Sequence, residues 1–236
     1  MSKKKIVANS IWVSDVHLGS QGSQVEKFEL FLNSISCKNL FLNGDIIDNY
    51  LINNTNHIKT HYKSIITQLE TLQNKGTHIY FLQGNHDKKE AIENIFLNIT
   101  FKKEIIYKTL TNKTYLIFHG DKCDTSVKLK TKYIAKFGTK FYEFCLSFKK
   151  SSNKPHFSRI IKILSKKIIS FLFQNEKKLL AYLENQQVDG VICGHSHQPM
   201  IKKIKNKDYL NSGDWIDNCS YIIETYNGEF KLEKWI

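Results

Sequence analysis

Five short strand-like segments, each followed by a polar motif, constrain the fold of this chain more than any other feature. The segments are rich in β-branched and aromatic residues, which favour strands. Helical patterns over 25–34, 57–74 and 89–97 lie between the earlier ones. This alternation predicts an α/β fold. The predicted strands cover 6–13, 39–42, 78–82, 115–118 and 188–193.

The end of the chain has a different pattern. From Met200 onward, short strand-like runs are separated by the turn dipeptides Asn206-Lys207 and Asn227-Gly228. The second dipeptide is typical of a type I′ hairpin. We therefore expect antiparallel pairing there.

The polar motifs combine carboxylate, amide and imidazole groups. In open α/β sheets, ligands bind at the carboxyl ends of the strands, so motifs that are far apart in sequence converge there. One such motif alone usually reflects turn chemistry, but five in succession predict a shared metal site. The mixed oxygen and nitrogen donors suit manganese, iron or zinc better than calcium. The motifs are Asp15-Val16-His17, Gly44-Asp45-Ile46-Ile47-Asp48, Gly84-Asn85-His86-Asp87, His119-Gly120-Asp121 and Gly194-His195-Ser196-His197.

This ordered set resembles the calcineurin-like metallophosphoesterase superfamily. The resemblance covers about the whole chain and implies a single domain over 1–236 that is a hydrolase. It also implies a four-layer α-β-β-α sandwich with two divalent metal ions, manganese above iron or zinc, at the strand ends. In the resemblance, one ion would be held by Asp15, His17 and His197, the other by Asn85, His119 and His195, and Asp45 would bridge them. His86 would contact the phosphate and assist the leaving group. Asp48 and Asp121 match polar positions that support the ligands.

Three stretches resemble a narrower group, the UDP-2,3-diacylglucosamine pyrophosphatase-like enzymes of lipid A biosynthesis. These stretches are His119–Asp124, Asp189–Pro199 and Asn211–Cys219. The group carries a long helical insertion over its active site, and its known reaction splits a nucleotide-linked glycolipid into a nucleotide and a lipid sugar phosphate. This chain departs from it at His86, where the lipid A pathway members carry Arg, so its substrate can differ.

Nearly all of the net charge lies in one region. The chain carries a formal charge of +13, and 128–178 holds fourteen basic residues against Glu143 and Glu176, which accounts for +12. We predict a basic helical insertion, a lid, over 128–187. The apolar spacing over 157–172 is typical of an amphipathic helix. Such a helix can pack on the core, or it can lie on anionic lipid through lysines such as Lys162, Lys166 and Lys167.

Two alternatives to glycolipid hydrolysis stay open. A phosphodiesterase acting on nucleotides or nucleic acid would explain the basic region, although the sequence carries no recognised nucleic-acid module. A non-catalytic scaffold of the same fold would use its surface for partner binding, and the intact ligand set counts against that possibility. No obligate protein partner is evident.

The chain has the features of a cytoplasmic protein. Its basic N-terminus runs directly into a strand-like segment, without the apolar stretch of a signal peptide. Its five cysteines are scattered and odd in number, which argues against a disulfide framework. We therefore expect a cytoplasmic protein, with peripheral association at the inner face of the membrane if the basic region binds lipid.

Overall fold

The computed structural model describes residues 5–51, 55–96, 99–123, 179, 182–184 and 186–236. Within this part of the chain, the strands form two sheets, and the helices before residue 96 pack on the first of them. The strands are β1 Ile6–Val13, β2 Ile35–Asn43, β3 His78–Leu82, β4 Thr100–Lys102, β5 Glu104–Lys108, β6 Thr114–Phe118, β7 Gly190–Cys193, β8 Met200–Ile204, β9 Lys207–Asn211, β10 Ser220–Glu224 and β11 Phe230–Lys234. The helices are α1 Val25–Ser34, α2 Thr55–His61, α3 Lys63–Asn74 and α4 Lys89–Ile95, with a 3-10 turn at Asp121–Cys123.

The first sheet has the strand order β11-β10-β1-β2-β3-β4 and the second the order β5-β6-β7-β9-β8. β1 to β4 are parallel, as are β6, β7 and β9, whereas β10, β11, β5 and β8 pair in antiparallel fashion. The predicted antiparallel pairing at the end of the chain is confirmed.

Alternation along the central strands places apolar side chains on both faces of each sheet. In β1, Trp12 faces the second sheet and stacks on Phe41 at 5.1 Å, whereas Ile11 and Val13 face the helices. The far side of the second sheet is covered by helical residues that include Leu183. The layers are therefore helix, sheet, sheet and helix, and the predicted four-layer α/β architecture is confirmed.

Several local predictions need correction. The helix predicted over 57–74 is two helices, because Tyr62 leaves the helical conformation with φ −114° and ψ 23°. The Asn227-Gly228 turn is not type I′, since that turn requires positive φ at both central residues and only Gly228, at 77°, has it. The hairpin predicted to turn at Asn206-Lys207 turns one residue earlier, at 205–206, because Ile204 pairs with Lys207. The helix predicted to end at Leu97 ends at Ile95.

The basic region at 128–178, with Lys162, Lys166 and Lys167, lies outside the described residues. None of the helices in the described ranges is long and apolar enough to cross a membrane. The four cysteines within those ranges, Cys37, Cys123, Cys193 and Cys219, are free thiols.

Candidate metal centre

The loops that follow β1, β2 and β7 carry the site residues in a left-handed backbone conformation. Asp15, His17, Asp45, His195 and His197 have φ values of 53°, 49°, 52°, 65° and 53°. Each such residue costs about 1 to 3 kcal/mol and persists only where its surroundings hold it. The loops hold one another, because the backbone N–H of Asp15 donates to Gly44 O at 3.0 Å and that of His17 to Asp45 O at 2.9 Å. The backbone thus aims these side chains at one place.

The first cluster of candidate ligands contains Asp15, His17 and His197. His197 Nε2 lies 3.3 Å from Asp15 Oδ1, and His17 Nε2 lies 3.9 Å from the same oxygen. His17 Nε2 is also 3.8 Å from Asp45 Oδ2. Three side chains from the ends of β1 and β7 therefore face one point, with Asp45 beside them.

The second cluster contains Asp45, His119 and His195. His119 Nε2 lies 3.2 Å from Asp45 Oδ2 and 3.3 Å from His195 Nδ1. Asn85 follows β3, and its Oδ1 is buried without a hydrogen-bond partner. Because Asp45 borders both clusters, its carboxylate is placed to be shared between them.

The chemistry of these donors fits a pair of divalent cations. Asp15 Oδ1 and Asn85 Oδ1 are buried oxygens that no hydrogen-bond donor satisfies, and such atoms are costly unless a ligand or ion pairs with them. Imidazole nitrogens face the Asp15 oxygen within 4 Å. Carboxylate, amide oxygen and imidazole together suit transition metals.

Two of the candidate ligands are oriented through their second ring nitrogen. His119 is fully buried, and its Nδ1 lies 3.0 Å from Asn43 O. His17 Nδ1 lies 3.4 Å from Asp48 Oδ2, and the other oxygen of Asp48 accepts the backbone N–H of Tyr50 at 3.1 Å. Contacts of this kind fix the tautomer and the ring orientation of a ligating histidine. Asp48 therefore contacts the second ring nitrogen of a candidate ligand.

His86 lies at the edge of the first cluster, with its ring 4.8 Å from that of His17. With His17 and Asp45 it forms a third group whose ligand atoms lie within 4.8 Å of one another. Its Nδ1 is 3.2 Å from Asp48 Oδ2, and its Nε2 is 3.9 Å from Asp45 Oδ2. Tyr50 meets the His86 ring edge to face at 4.7 Å. One carboxylate, that of Asp48, therefore orients both His17 and His86.

A model of the calcineurin-like phosphoesterase family matches residues 10–199, most of the chain. The chain belongs to this family. It is a metal-dependent phosphohydrolase, and the five motifs that supply the candidate ligands all lie within the matched range.

Known relatives of this phosphoesterase share low identity over most of their length. UDP-2,3-diacylglucosamine hydrolase from Photorhabdus laumondii is 24% identical over 84% of this chain and 86% of that protein. The protein of the same name from Blochmanniella pennsylvanica is 27% identical over 82% of this chain and 81% of that protein. A solved archaeal phosphodiesterase is 12% identical, with a TM-score of 0.47 over 95% of this chain and 98% of that one.

Electrostatics in the phosphoesterase site keep Asp45 ionised. Burial alone would raise the pKa of Asp45, but the imidazoles of His119, His86 and His17 hold it well below its usual value. Burial likewise lowers the pKa of His119, and the carboxylates of Asp45 and Asp15 raise it well above its usual value. The charge of Asp121, in the 3-10 turn after β6, adds to that increase.

Two further carboxylates support the site, and sequence reasoning gave neither of them a role. Asp87 accepts the backbone N–H groups of Asp45, Ile47 and Gly84 at 2.6, 3.0 and 3.0 Å, which ties the loop after β2 to the loop after β3. Asp214 lies 3.7 Å from His197 Nδ1. Asp87 belongs to the Gly84-Asn85-His86-Asp87 motif and Asp214 to the stretch Asn211–Cys219, so a carboxylate in the loop after a strand was the available signal.

Proposed function

We propose that this protein hydrolyses the phosphoanhydride of a nucleotide-linked glycolipid of the UDP-2,3-diacylglucosamine type. The observation that carries the proposal is the pair of ligand clusters around Asp45, in a chain whose relatives are named for that hydrolysis over more than four fifths of its length. In the reaction, a water oxygen bonds to phosphorus and the P–O bond to the other phosphoryl group breaks. The products are a nucleotide and a lipid sugar phosphate.

In this proposal, Asp15, His17 and His197 hold one divalent cation, Asn85, His119 and His195 hold the other, and Asp45 contacts both. When bound, such a pair lowers the pKa of a water molecule toward neutrality and offsets the charge of the phosphoryl oxygens. The imidazoles around Asp45 hold its pKa well below its usual value, so this carboxylate stays ionised and can retain the cations at neutral pH. Manganese is our first choice of cation, ahead of iron and zinc.

His86 is the proposed proton donor to the departing oxygen. Burial lowers the pKa of His86, but the carboxylates of Asp45 and Asp48 outweigh that effect and raise it above its usual value of 6.5. The two carboxylates therefore favour the protonated, proton-donating form of the ring. Asp48 holds Nδ1, which leaves Nε2 directed toward Asp45 and the reaction centre.

Rates on three substrates test the choice of reaction. Purified protein with Mn²⁺ is offered UDP-2,3-diacylglucosamine, bis(4-nitrophenyl) phosphate and single-stranded DNA, with Asp45→Ala as the blank. Release of the nucleotide from the glycolipid at the highest kcat/KM supports the proposal. Turnover of the generic ester alone, or faster cleavage of the DNA, would instead favour a phosphodiesterase.

We also propose that the basic region at 128–178, part of a lid over 128–187, brings the enzyme to anionic membrane surfaces. Its support is the charge distribution, since all but +1 of the net +13 lies there. Each lysine near an anionic surface contributes about 1 kcal/mol. An amphiphilic substrate resides in such a surface, so this attraction would concentrate the enzyme where its substrate is.

Vesicle binding at increasing salt tests the membrane proposal. Vesicles with anionic lipid should retain the protein at low salt and release it as salt shortens the screening length from about 30 Å at 0.01 M to about 8 Å at 0.15 M. Gln at Lys162, Lys166 and Lys167 should weaken retention. Gln at the half-buried Lys202 and the exposed Lys203 and Lys205, in and after β8, should not. Equal retention of the two triple variants on the vesicles would contradict the proposal. As a control, both variants should hydrolyse bis(4-nitrophenyl) phosphate at the parent's rate.

A further inference from the structure

The segment 211–218, which lies beyond the family match at 10–199, contacts the loops that carry the first cluster. The backbone N–H of Trp215 donates to Asp15 O at 3.0 Å, and Ser14 Oγ donates to Gly213 O at 3.0 Å. Asn211 Nδ2 donates to Gly194 O at 2.6 Å, directly before His195. This turn therefore touches both the loop after β1 and the loop after β7.

Asp214 is the charged centre of this turn and is 1% exposed. Its Oδ1 accepts the backbone N–H groups of Ile216 at 2.8 Å, Asp217 at 2.6 Å and Asn218 at 3.1 Å. Its Oδ2 accepts Asn218 Nδ2 at 2.5 Å and lies 3.7 Å from His197 Nδ1. The same Asn218 amide donates to His197 O at 3.1 Å.

A buried carboxylate held by four donors cannot shift without losing hydrogen bonds, so its remaining face is a fixed acceptor. That face is directed at Nδ1 of His197, the nitrogen opposite the one that lies 3.3 Å from Asp15. The arrangement parallels the contact between Asp48 and His17 Nδ1. Both imidazoles of the first cluster thus have a carboxylate behind them, and each carboxylate is itself held by backbone N–H groups.

We infer that Asp214 is the positioning residue of His197, and that the turn 211–218 sets the affinity of one of the two proposed cation positions. This inference rests on the proposed metal centre but not on the identity of the substrate. Partners that orient a ligating histidine typically change metal affinity by about 10- to 100-fold. The loss should fall on the Asp15, His17 and His197 position.

The test is Mn²⁺ titration by calorimetry, without substrate, of the parent and Asp214→Asn. An amide at 214 keeps the backbone contacts through its oxygen but presents a donor to His197. We expect one binding event to weaken by about 10- to 100-fold, with the other within about threefold. Asp217→Asn is the matched control, because it makes the same change at an exposed position of the same turn and should bind like the parent.

A double-mutant cycle separates positioning from general destabilisation. If Asp214 acts through His197, then Asp214→Asn should weaken Mn²⁺ binding little further in a His197→Ala background. Three results would each overturn the inference. The first is a full further loss of Mn²⁺ affinity in the His197→Ala background, the second is equal weakening of both binding events, and the third is parent-like binding by Asp214→Asn. If Asp214→Asn does not fold, Asn218→Ala decides: weakening of the same single event supports the inference, and unchanged binding refutes it. Because no substrate is present, failure of the proposed hydrolysis would leave these outcomes readable.

Discussion

Gly44→Ala should lower both the stability and the metal affinity, because the glycine faces His119, a buried candidate ligand. Gly44 has φ +87°, and a Cβ added there would overlap the His119 ring, with 2.5 Å to Cγ and 2.7 Å to the His119 Cβ. His119 is fully buried and held between Asn43 O and Asp45 Oδ2. The ring must therefore move away from the atoms that orient it.

Gly76→Ala is a matched control with the same backbone strain and no overlap. Gly76 follows α3 at φ +91°, and a Cβ there meets nothing within 4 Å. A left-handed alanine costs about 1 to 2 kcal/mol in either variant. Overpacking adds about 1 to 3 kcal/mol for Gly44→Ala alone. The lost flexibility of the unfolded chain offsets a similar amount in both variants, so it cancels in the comparison.

The assay is thermal unfolding of the metal-free variants, followed by Mn²⁺ titration and hydrolysis. After the unfolded-chain offset of about 0.4 to 1 kcal/mol, and at about 2 to 4 °C per kcal/mol for a chain of this size, Gly76→Ala should lower Tm by about 0 to 6 °C. Gly44→Ala should lower it by a further 2 to 12 °C, by roughly the same conversion. Moving a reacting group by 1 Å can cost about 100-fold in rate, so only Gly44→Ala should lose activity on that scale. Equal Tm values and equal activity in the two variants would refute the described packing of His119.

Three other changes have defined outcomes. Asp45→Ala should abolish hydrolysis and lower bound Mn²⁺ below the parent's by elemental analysis; unchanged metal content would contradict a shared carboxylate. His86→Ala should keep the parent's metal content while kcat falls by about 10² to 10⁴, the usual contribution of a positioned acid; loss of metal would make His86 a ligand. Burial raises the pKa of the Cys37 thiol from 9.0 to about 12. Above pH 9, the unfolded chain therefore loses a proton that the folded chain keeps. The free energy of unfolding consequently falls as the pH rises toward 12. Cys37→Ala should reduce that decline by up to about 1.4 kcal/mol per pH unit in denaturant titrations, and an unchanged slope would contradict the burial of this thiol.

The local sequence determined the repeating elements and the points where chemistry could gather. The pattern of Ile6–Val13 and Val25–Ser34 predicted the observed strand and helix bounds, because periods of two and of about 3.6 residues are local properties. The five motifs each follow a strand in the structure, since Gly, Asp and His favour the turns at strand ends. The break at Tyr62 was missed because its partly buried ring packs on the core. The turn around Asn227 was missed because the loop closes between Thr225 and Glu229, a length that the Asn-Gly dipeptide alone does not specify.

Tertiary structure alone decided which atoms face one another. Asp15 and His197 are far apart in sequence, yet their side chains lie 3.3 Å apart because β1 and β7 end at the same edge of the sandwich. The contact of Asp87 with the backbone N–H of Asp45 and that of Asp214 with His197 Nδ1 follow from that convergence, since each joins two loops that are distant in sequence. Residue type and spacing show that a carboxylate is available after a strand, whereas its partner depends on sheet order and loop conformation.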